Sequence, residues 1–359
     1  MNRAEPCDFT TSITINATEP EPVTSLLEQM QQQYSSRRAL LFHLLFLLLR
    51  PTSPLPDGET PPHVRSNPPP AQLSNQFCSS NGIYFRQLLA GVDVAKPSKA
   101  RTVFETQSFK FAKQMQNYIY LIGDRETGDT VVVDGCWDPK GINKLAKQDG
   151  MKIVGFVATH YHWDHVGGQV DYEPFKSMNV DLPGLKDFVL GSSKRKRELN
   201  NNEIKRKAWI SSIELEKTAT RTGVPREALT GLEDGSVVDI GARLRLTFRH
   251  TPGHSPGSMV VLVSERSPND ESSGGGGGGG GKPLFMVSGD TLFPGSCGRV
   301  DLPESDPVQM WDSLQIVKGY SDDLVVFPGH AYSGSNTTIG KESRNGLLGM
   351  TKKEWMRGR

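Results

Sequence analysis

Residues 159–168 read THYHWDHVGG, which sets three histidines and an aspartate between His160 and His165 in a chain that holds eight histidines in all. The segment just before, MKIVGFVATH, reads as a short, β-branched strand of the buried kind. Gly167 and Gly168 then let the backbone turn tightly beyond the cluster. A fold that accepts this stretch has to close several polar rings into crowded, partly desolvated space at the mouth of a buried strand. Ring nitrogens in such a place are costly unless each finds a partner. A lone core histidine or an incidental His-rich tract does not account for the carboxylate among them. A divalent metal ion does, because neutral imidazole is its commonest nitrogen ligand and carboxylate completes the set.

The same signature recurs downstream. LRLTFRHTPGH leads to His254, LFMVSGD to Asp290 and LVVFPGH to His330, each with a glycine (Gly253, Gly289, Gly329) beside the ligand. Four strands thus carry ligand-type residues at their carboxyl ends, the edge at which sites assemble in α/β and sandwich folds. His160, His162, Asp164, His165, His254, Asp290 and His330 are too many donors for one tetrahedral zinc. They suit two divalent metal ions bridged by one carboxylate and a water. His250 falls inside a strand and is left out, and His43 and His63 lie in the polar head of the chain.

Composition bounds the rest. At 359 residues the chain has room for two or three domains, or for one large domain with tails. A formal net charge of +1 argues against a protein built to neutralise nucleic-acid phosphates, and no nucleic-acid partner is expected. Cys7, Cys78, Cys136 and Cys297 form no CxxC pair, so neither a disulfide framework nor a cysteine metal site is expected, and a reducing compartment fits better. The apolar run 39–49, behind two arginines, is too short to span a membrane. It reads equally as part of a targeting segment or as a short amphipathic helix, which leaves cytoplasmic and organellar locations both open.

Residues 1–81, with their Pro-rich linker RPTSPLPDGETPPHVRSNPPPAQ, have little to bury and are expected to form a disordered or targeting extension ahead of a catalytic domain over 82–359. Within that domain NYIYLIGD and DTVVVDG read as a hairpin across RETG, and DPKGINKLAKQDG as the helix of a crossover to KIVGFVATH, which implies an α/β protein. Residues 192–207 carry seven basic residues, and a helical stretch is expected to follow to about Thr222. With a net charge so near zero, that basic run reads as a solvated face or inserted loop rather than a nucleic-acid patch. The segment 267–283 holds eight consecutive glycines, whose dihedrals nothing restricts; it is a flexible hairpin insertion and not a phosphate-binding loop. DPVQMWDSLQIVKGY reads as a helix with Asp306 as N-cap, Pro307 at the first position and Gln309 closing a capping box, and LVVFPGH as the last strand.

THYHWDH resembles the HxHxDH motif of the metallo-β-lactamase-fold superfamily, and TPGH, SGDT and PGH resemble its remaining metal motifs in order, over residues 82–345. GDTLFPGSCGR and PGHAY are most similar to glyoxalase II, the hydroxyacylglutathione hydrolase, and its relatives. The resemblance implies a four-layer αββα sandwich with a dinuclear site between its sheets. It implies that His160, His162 and His254 hold a first metal, that Asp164, His165 and His330 hold a second, and that Asp290 bridges. Zinc is the metal it favours, with iron or manganese as alternatives. Arg299 and Tyr332 match residues that contact the glutathione part of a small-molecule thioester substrate. Two features depart from glyoxalase II: only 29 residues follow His330, where that family carries a helical domain with basic residues, and the stretch between His165 and His254 is long.

The activity so implied is metal-dependent hydrolysis of a thioester or related ester, with Asp164 both ligating and orienting the nucleophile. Ser255 and Ser288 are then turn residues, and Cys297 a packing residue. A mononuclear iron persulfide dioxygenase is the first rival, because TPGHSPG and CGR also resemble that enzyme and His160, His254 and Asp290 would serve it. A nuclease using residues 194–207 is disfavoured by the charge balance, and a catalytically dead binding module by the complete ligand set. Deleting residues 1–81 should leave folding and metal content intact, because no candidate ligand lies there; loss of bound metal on truncation, read by elemental analysis, would refute the boundary.

Overall fold

The computed structural model of the chain describes residues 82–170, 179–191, 206–266 and 282–357. The expected N-terminal extension, most of the basic run and the polyglycine insertion lie outside the described residues. In chain order the first half comprises β1 (Ile83–Leu89), α1 (Val103–Met115), β2 (Tyr118–Asp124), β3 (Asp129–Val133), α2 (Pro139–Gln148) and β4 (Lys152–Val157). It continues with α3 (Trp163–Val166), the short pair β5 (Gly168–Gln169) and β6 (Asp181–Leu182), α4 (Leu185–Val189), β7 (Lys207–Ser211), α5 (Leu215–Thr222) and β8 (Leu229–Leu232). The second half runs β9 (Val237–Ile240), β10 (Leu244–His250), β11 (Met259–Glu265), β12 (Phe285–Gly289), α6 (Pro307–Lys318), β13 (Val325–Pro328), β14 (Thr337–Thr338), α7 (Ile339–Asn345) and α8 (Lys352–Arg357). Among the described residues no helix is long and apolar enough to cross a membrane.

Each half builds one six-stranded sheet, ordered β1-β2-β3-β4-β7-β8 and β14-β13-β12-β11-β10-β9. The β2/β3 hairpin is antiparallel and β3 pairs parallel with β4 across α2, as the strand–helix–strand pattern requires. Asp138 caps α2 by accepting from the Gly141 N–H, with Pro139 at the first position. Strict period-2 alternation then lays one apolar face of each sheet against the other. Tyr118, Tyr120 and Ile122 of β2 meet Leu244, Leu246 and Phe248 of β10 and Met259, Val261 and Val263 of β11 in a single buried cluster. The outer face of the second sheet is covered too: Val260, Leu262, Met286 and Val326 pack beneath Met310, Trp311 and Leu314 of α6, Ile339 of α7 and Trp355 of α8. On the outer face of the first sheet, Phe156 of β4 meets Phe188 of α4 with ring centroids 5.7 Å apart. The architecture is a four-layer αββα sandwich, and β11 reads as a continuous apolar run because it is buried on both faces.

Three local expectations are corrected. The segment 208–222 does not run as one helix: Lys207–Ser211 is a strand, parallel between β4 and β8, and α5 starts only at Leu215. Trp209 and Ile210 suit a buried slot between two strands, and a short apolar run of this kind looks the same for strand and helix until its neighbours are known. LVVFPGH is not the last strand, because Thr337–Thr338 adds an edge pair to β13. At α6, Asp306 accepts from the Val308 and Gln309 N–H groups, but Gln309 donates from its own amide to the Asp306 carboxylate instead of closing a reciprocal box.

At the centre of the sandwich Phe85 meets Phe285 and Phe327 with ring centroids 4.7 and 4.6 Å away, joining strands of both sheets. Phe85→Ala should cost about 3–5 kcal/mol, the usual range for emptying a phenylalanine site in a packed core. A loss of unfolding free energy below about 1 kcal/mol in a urea titration would mean the two sheets do not depend on this contact.

Candidate metal centre

The site forms where the carboxyl ends of the two sheets are tied together by main-chain hydrogen bonds. The Tyr118 N–H donates to Gly329 O, Ala331 N–H to Gln116 O and Met259 N–H to Thr159 O, at 2.8–2.9 Å. These ties bring the His160–His165 loop after β4, the His254 loop after β10, Asp290 after β12 and His330 after β13 to one edge. A register shift in the β12/β13 pairing between Val287 and Gly289 ends the strand just before Asp290. Gly289 needs to be glycine: φ is +49° and a Cβ there would fall 2.6 Å from the Thr159 hydroxyl.

All seven sequence-predicted ligands come together. Their tautomers can be argued from the nitrogen that faces away from the cluster. His254 Nδ1 lies 2.8 Å from Arg299 O and His330 Nδ1 2.7 Å from Met115 O; a carbonyl only accepts, so both Nδ1 atoms carry hydrogen. His165 Nδ1 lies 2.9 Å from the Asp134 carboxylate and donates in the same sense. The Thr159 hydroxyl donates to Asp134 and so accepts from His160 Nδ1. Four Nε2 atoms are thereby left with lone pairs aimed inward. His160 Nε2 and His254 Nε2 each lie 3.0 Å from His162 Nδ1, and His165 Nε2 lies 3.3 Å from His330 Nε2. Lone pairs that converge at such distances repel unless a cation sits among them.

The carboxylates complete the picture. Asp290 Oδ2 lies 3.4 Å from both His254 Nε2 and His330 Nε2, and its Oδ1, 3.5 Å from His165 Nε2, is buried with no hydrogen-bond partner. Asp164 Oδ2 is 3.6 Å from His165 Nε2 and 3.5 Å from His330 Nε2. Three donor groups tight enough to hold an ion emerge: His160, His162 and His254; His160, His165 and Asp290; and Asp164, His165 and His330. The residues fit divalent cations by donor type, by the orphaned Asp290 oxygen and by the inward lone pairs.

Electrostatics divides the cluster. Burial, reinforced by the neighbouring rings, holds His160 well below the usual histidine range and brings His162 down to about 3, so this group stays neutral and ready to ligate. Burial also pulls His165 down, but Asp164, Asp134 and Asp290 together outweigh it and raise His165 to about 10. Burial lowers His330 as well, and Asp290 and Asp164 reverse it to a net rise. Protons therefore compete with an incoming cation for the His165 and His330 lone pairs on the carboxylate-rich side.

The profile of the Metallo-beta-lactamase superfamily matches residues 112–267. The chain contains a metallo-β-lactamase superfamily domain. It is 29% identical to a hydroxyacylglutathione hydrolase of Dictyostelium discoideum over 64% of this chain and 68% of that one. It is 24% identical to the mitochondrial persulfide dioxygenase of Homo sapiens, over 72% of this chain and 78% of that one. A metallo-beta-lactamase from Staphylococcus aureus shares the fold with a TM-score of 0.53 at 20% identity, over 77% of this chain and 67% of that one.

Around the seven candidate ligands stand residues that sequence reasoning did not nominate. Asp134 accepts from Thr159 N–H, Thr159 O–H and His165, and ends VVVD in the way that exposed the other ligands, so the same signature could have found it. Glu214, 1% exposed, accepts from the Ser255 hydroxyl at 2.5 Å and Gly257 N–H at 2.8 Å, clamping the loop that carries His254. Burial pushes Glu214 up to about 7 against the pull of those donors. No local pattern marks it. Ser255 is thus a clamp partner, and Ser288 donates to Leu292 O and Phe327 O. Cys297 packs beside the outer apolar cluster. The Arg299 guanidinium does not reach the cluster: it pairs with Asp301 at 2.9 Å on the surface, and only its carbonyl touches a ligand. Tyr332 lies flat on His330, ring centroids 4.6 Å apart, and is 52% exposed.

Glu214→Ala should strand the Ser255 and Gly257 donors and destabilise the metal-free protein by about 1–3 kcal/mol. Glu214→Gln, which keeps an acceptor in place, should recover most of that in a denaturant titration. Equal losses for both variants would show that charge rather than the acceptor matters.

Proposed function

We propose that the chain is a metal-dependent hydrolase that cleaves a thioester or related ester, with glutathione-conjugated acyl groups as the first substrate class to test. The observation that carries this reading is the inward convergence of donors with Asp290 in reach of both groups. His160, His162 and His254 would hold one cation, Asp164, His165 and His330 a second, and Asp290 both, with zinc favoured over iron or manganese. Cations bound there would supply a water of lowered pKa and a Lewis acid for the carbonyl.

The chain's own residues do the rest. Asp134, Thr159 and the carbonyls of Arg299 and Met115 keep the rings in the tautomers that ligate. Asp164, within reach of His165 and His330, is the carboxylate placed to accept a hydrogen bond from the attacking water and aim it. In the reaction the water oxygen forms the new acyl C–O bond, the C–S bond breaks, and the sulfur leaves as thiol with the proton released. Tyr332 offers a half-exposed aromatic face against His330 for the part of the substrate beyond the carbonyl. Arg299 can take a substrate carboxylate only in competition with Asp301. The similarity to a persulfide dioxygenase supports a second reading, in which His160, His254 and Asp290 hold one iron.

Elemental analysis of protein purified without chelators, paired with an S-D-lactoylglutathione assay, separates the two. Close to two equivalents of metal and thioester turnover that chelator abolishes and metal restores are expected. Asp290→Ala should empty both positions and His330→Ala mainly the second. One tightly held iron, with oxygen consumed on addition of glutathione persulfide, would replace the hydrolase reading by the dioxygenase.

A further inference from the structure

Among the described residues, Asn117 is a neutral side chain that donates into the candidate ligand cluster from behind. It is buried, follows Gln116, whose φ of +54° ends α1 in the left-handed region, and forms an isolated antiparallel bridge with His330. A carboxamide can face either way, and here Trp137 decides. The indole N–H can only donate, and Trp137 Nε1 lies 3.0 Å from Asn117 Oδ1. The amide oxygen therefore turns to Trp137 and the NH2 group to the cluster. There Nδ2 stands 3.1 Å from Asp164 Oδ2 and 3.5 Å from His330 Nε2.

Trp137 is itself held hard. It is fully buried, meets Phe111 and Trp163 edge-on at 5.7 and 5.9 Å, and donates its main-chain N–H to Pro183 O. Its backbone φ of +74° is one that bulky residues rarely adopt, and the packing around the indole is what maintains it. The contact is also selective. Asp164 and His330 receive it, whereas His160 and His254 are anchored by Thr159 and by the Arg299 carbonyl.

We propose that Asn117, aimed by Trp137, is a positioning residue that holds Asp164 and His330 in register for the second cation, so that this pair of side chains determines whether the centre fills with two metal ions or one. The inference rests on the two-cation reading above. One N–H of Asn117 takes up a lone pair of Asp164 Oδ2 and stops the carboxylate from rotating, which leaves its remaining lone pairs for the cluster. Without that donor, the Asp164 carboxylate is free to rotate, and the second position loses its preformed shape. The first position has no such dependence.

The test is zinc binding by the full chain, read as equivalents and affinities at buffered free zinc, for wild type, Asn117→Ala, Asn117→Leu, Trp137→Phe and the Asn117→Ala/Trp137→Phe double variant. Leucine fills the space of the carboxamide, so a collapsed pocket cannot imitate the loss of the hydrogen bond, and far-UV circular dichroism reports the fold of each metal-free protein. Wild type should bind two equivalents. Both Asn117 variants should keep the first at wild-type affinity and bind the second about 10- to 100-fold more weakly, the range seen when a ligand's supporting hydrogen bond is removed. Trp137→Phe should weaken the second position by a smaller factor, and add nothing once Asn117 is gone. Unchanged second-site affinity in Asn117→Leu, or equal loss at both positions, overturns the inference while leaving the two-cation reading intact. An undiminished effect of Trp137→Phe in the Asn117→Ala background overturns the role given to Trp137. A wild type that binds a single equivalent removes the two-cation reading, and this inference with it.

Discussion

Five imidazole rings present nitrogen lone pairs to one another inside a pocket almost closed to solvent, and that arrangement survives only because the opposite nitrogen of most of the rings is held. Thr159 and Asp134 hold His160 and His165, the Arg299 carbonyl holds His254, and the Met115 carbonyl holds His330. These anchors come from the end of a helix, the ends of strands in the first sheet and a loop of the second half. No single element could supply them. The requirement that rings from both sheets be steadied at once is what makes the edge of the sandwich, rather than either sheet alone, the place where chemistry becomes available.

The backbone is unusual at this edge. Gln116, Asp134 and Trp137 all adopt positive φ without being glycine, and each adjoins a residue that touches a ligand or touches one itself. Conformations of this kind cost energy and persist where surrounding structure over-determines them. Here the surrounding structure is the core between the sheets and the aromatic group of Phe111, Trp137 and Trp163. The regular alternation along β2, β10 and β11 therefore does more than bury apolar area. It supplies the rigidity against which the strained turns are held.

The centre and its rim obey different rules. The candidate ligands, His162 apart, and the side-chain anchors Asp134 and Thr159 are buried, whereas Tyr332 and the Arg299–Asp301 pair are exposed. Tyr161 connects the two regimes: it stands between His160 and His162, and its hydroxyl donates to Glu304, which also pairs with Lys217 of α5. On the reading proposed above, substrate choice could change through the rim while the buried edge stays as it is.

Much of the centre was legible in the sequence because metal ligation leaves a local trace. A donor at the end of a buried strand, with glycine beside it at His254, Asp290 and His330, is a pattern that needs no knowledge of the partner strand, and it exposed those three and His160 together with its neighbours. Short apolar, β-branched runs bounded by turn residues exposed most strands for the same reason. Tertiary structure alone decided what depends on a partner distant in sequence. Lys207–Ser211 became a strand because β4 and β8 leave a slot for it. Arg299 was turned outward by Asp301, and only its carbonyl was left for His254. Asn117 and Glu214 carry no local signature, since a buried amide or carboxylate acquires its role from the groups that face it. Those groups, Trp137 and Asp164 for the one and Ser255 and Gly257 for the other, are brought within hydrogen-bond distance only when the two sheets close.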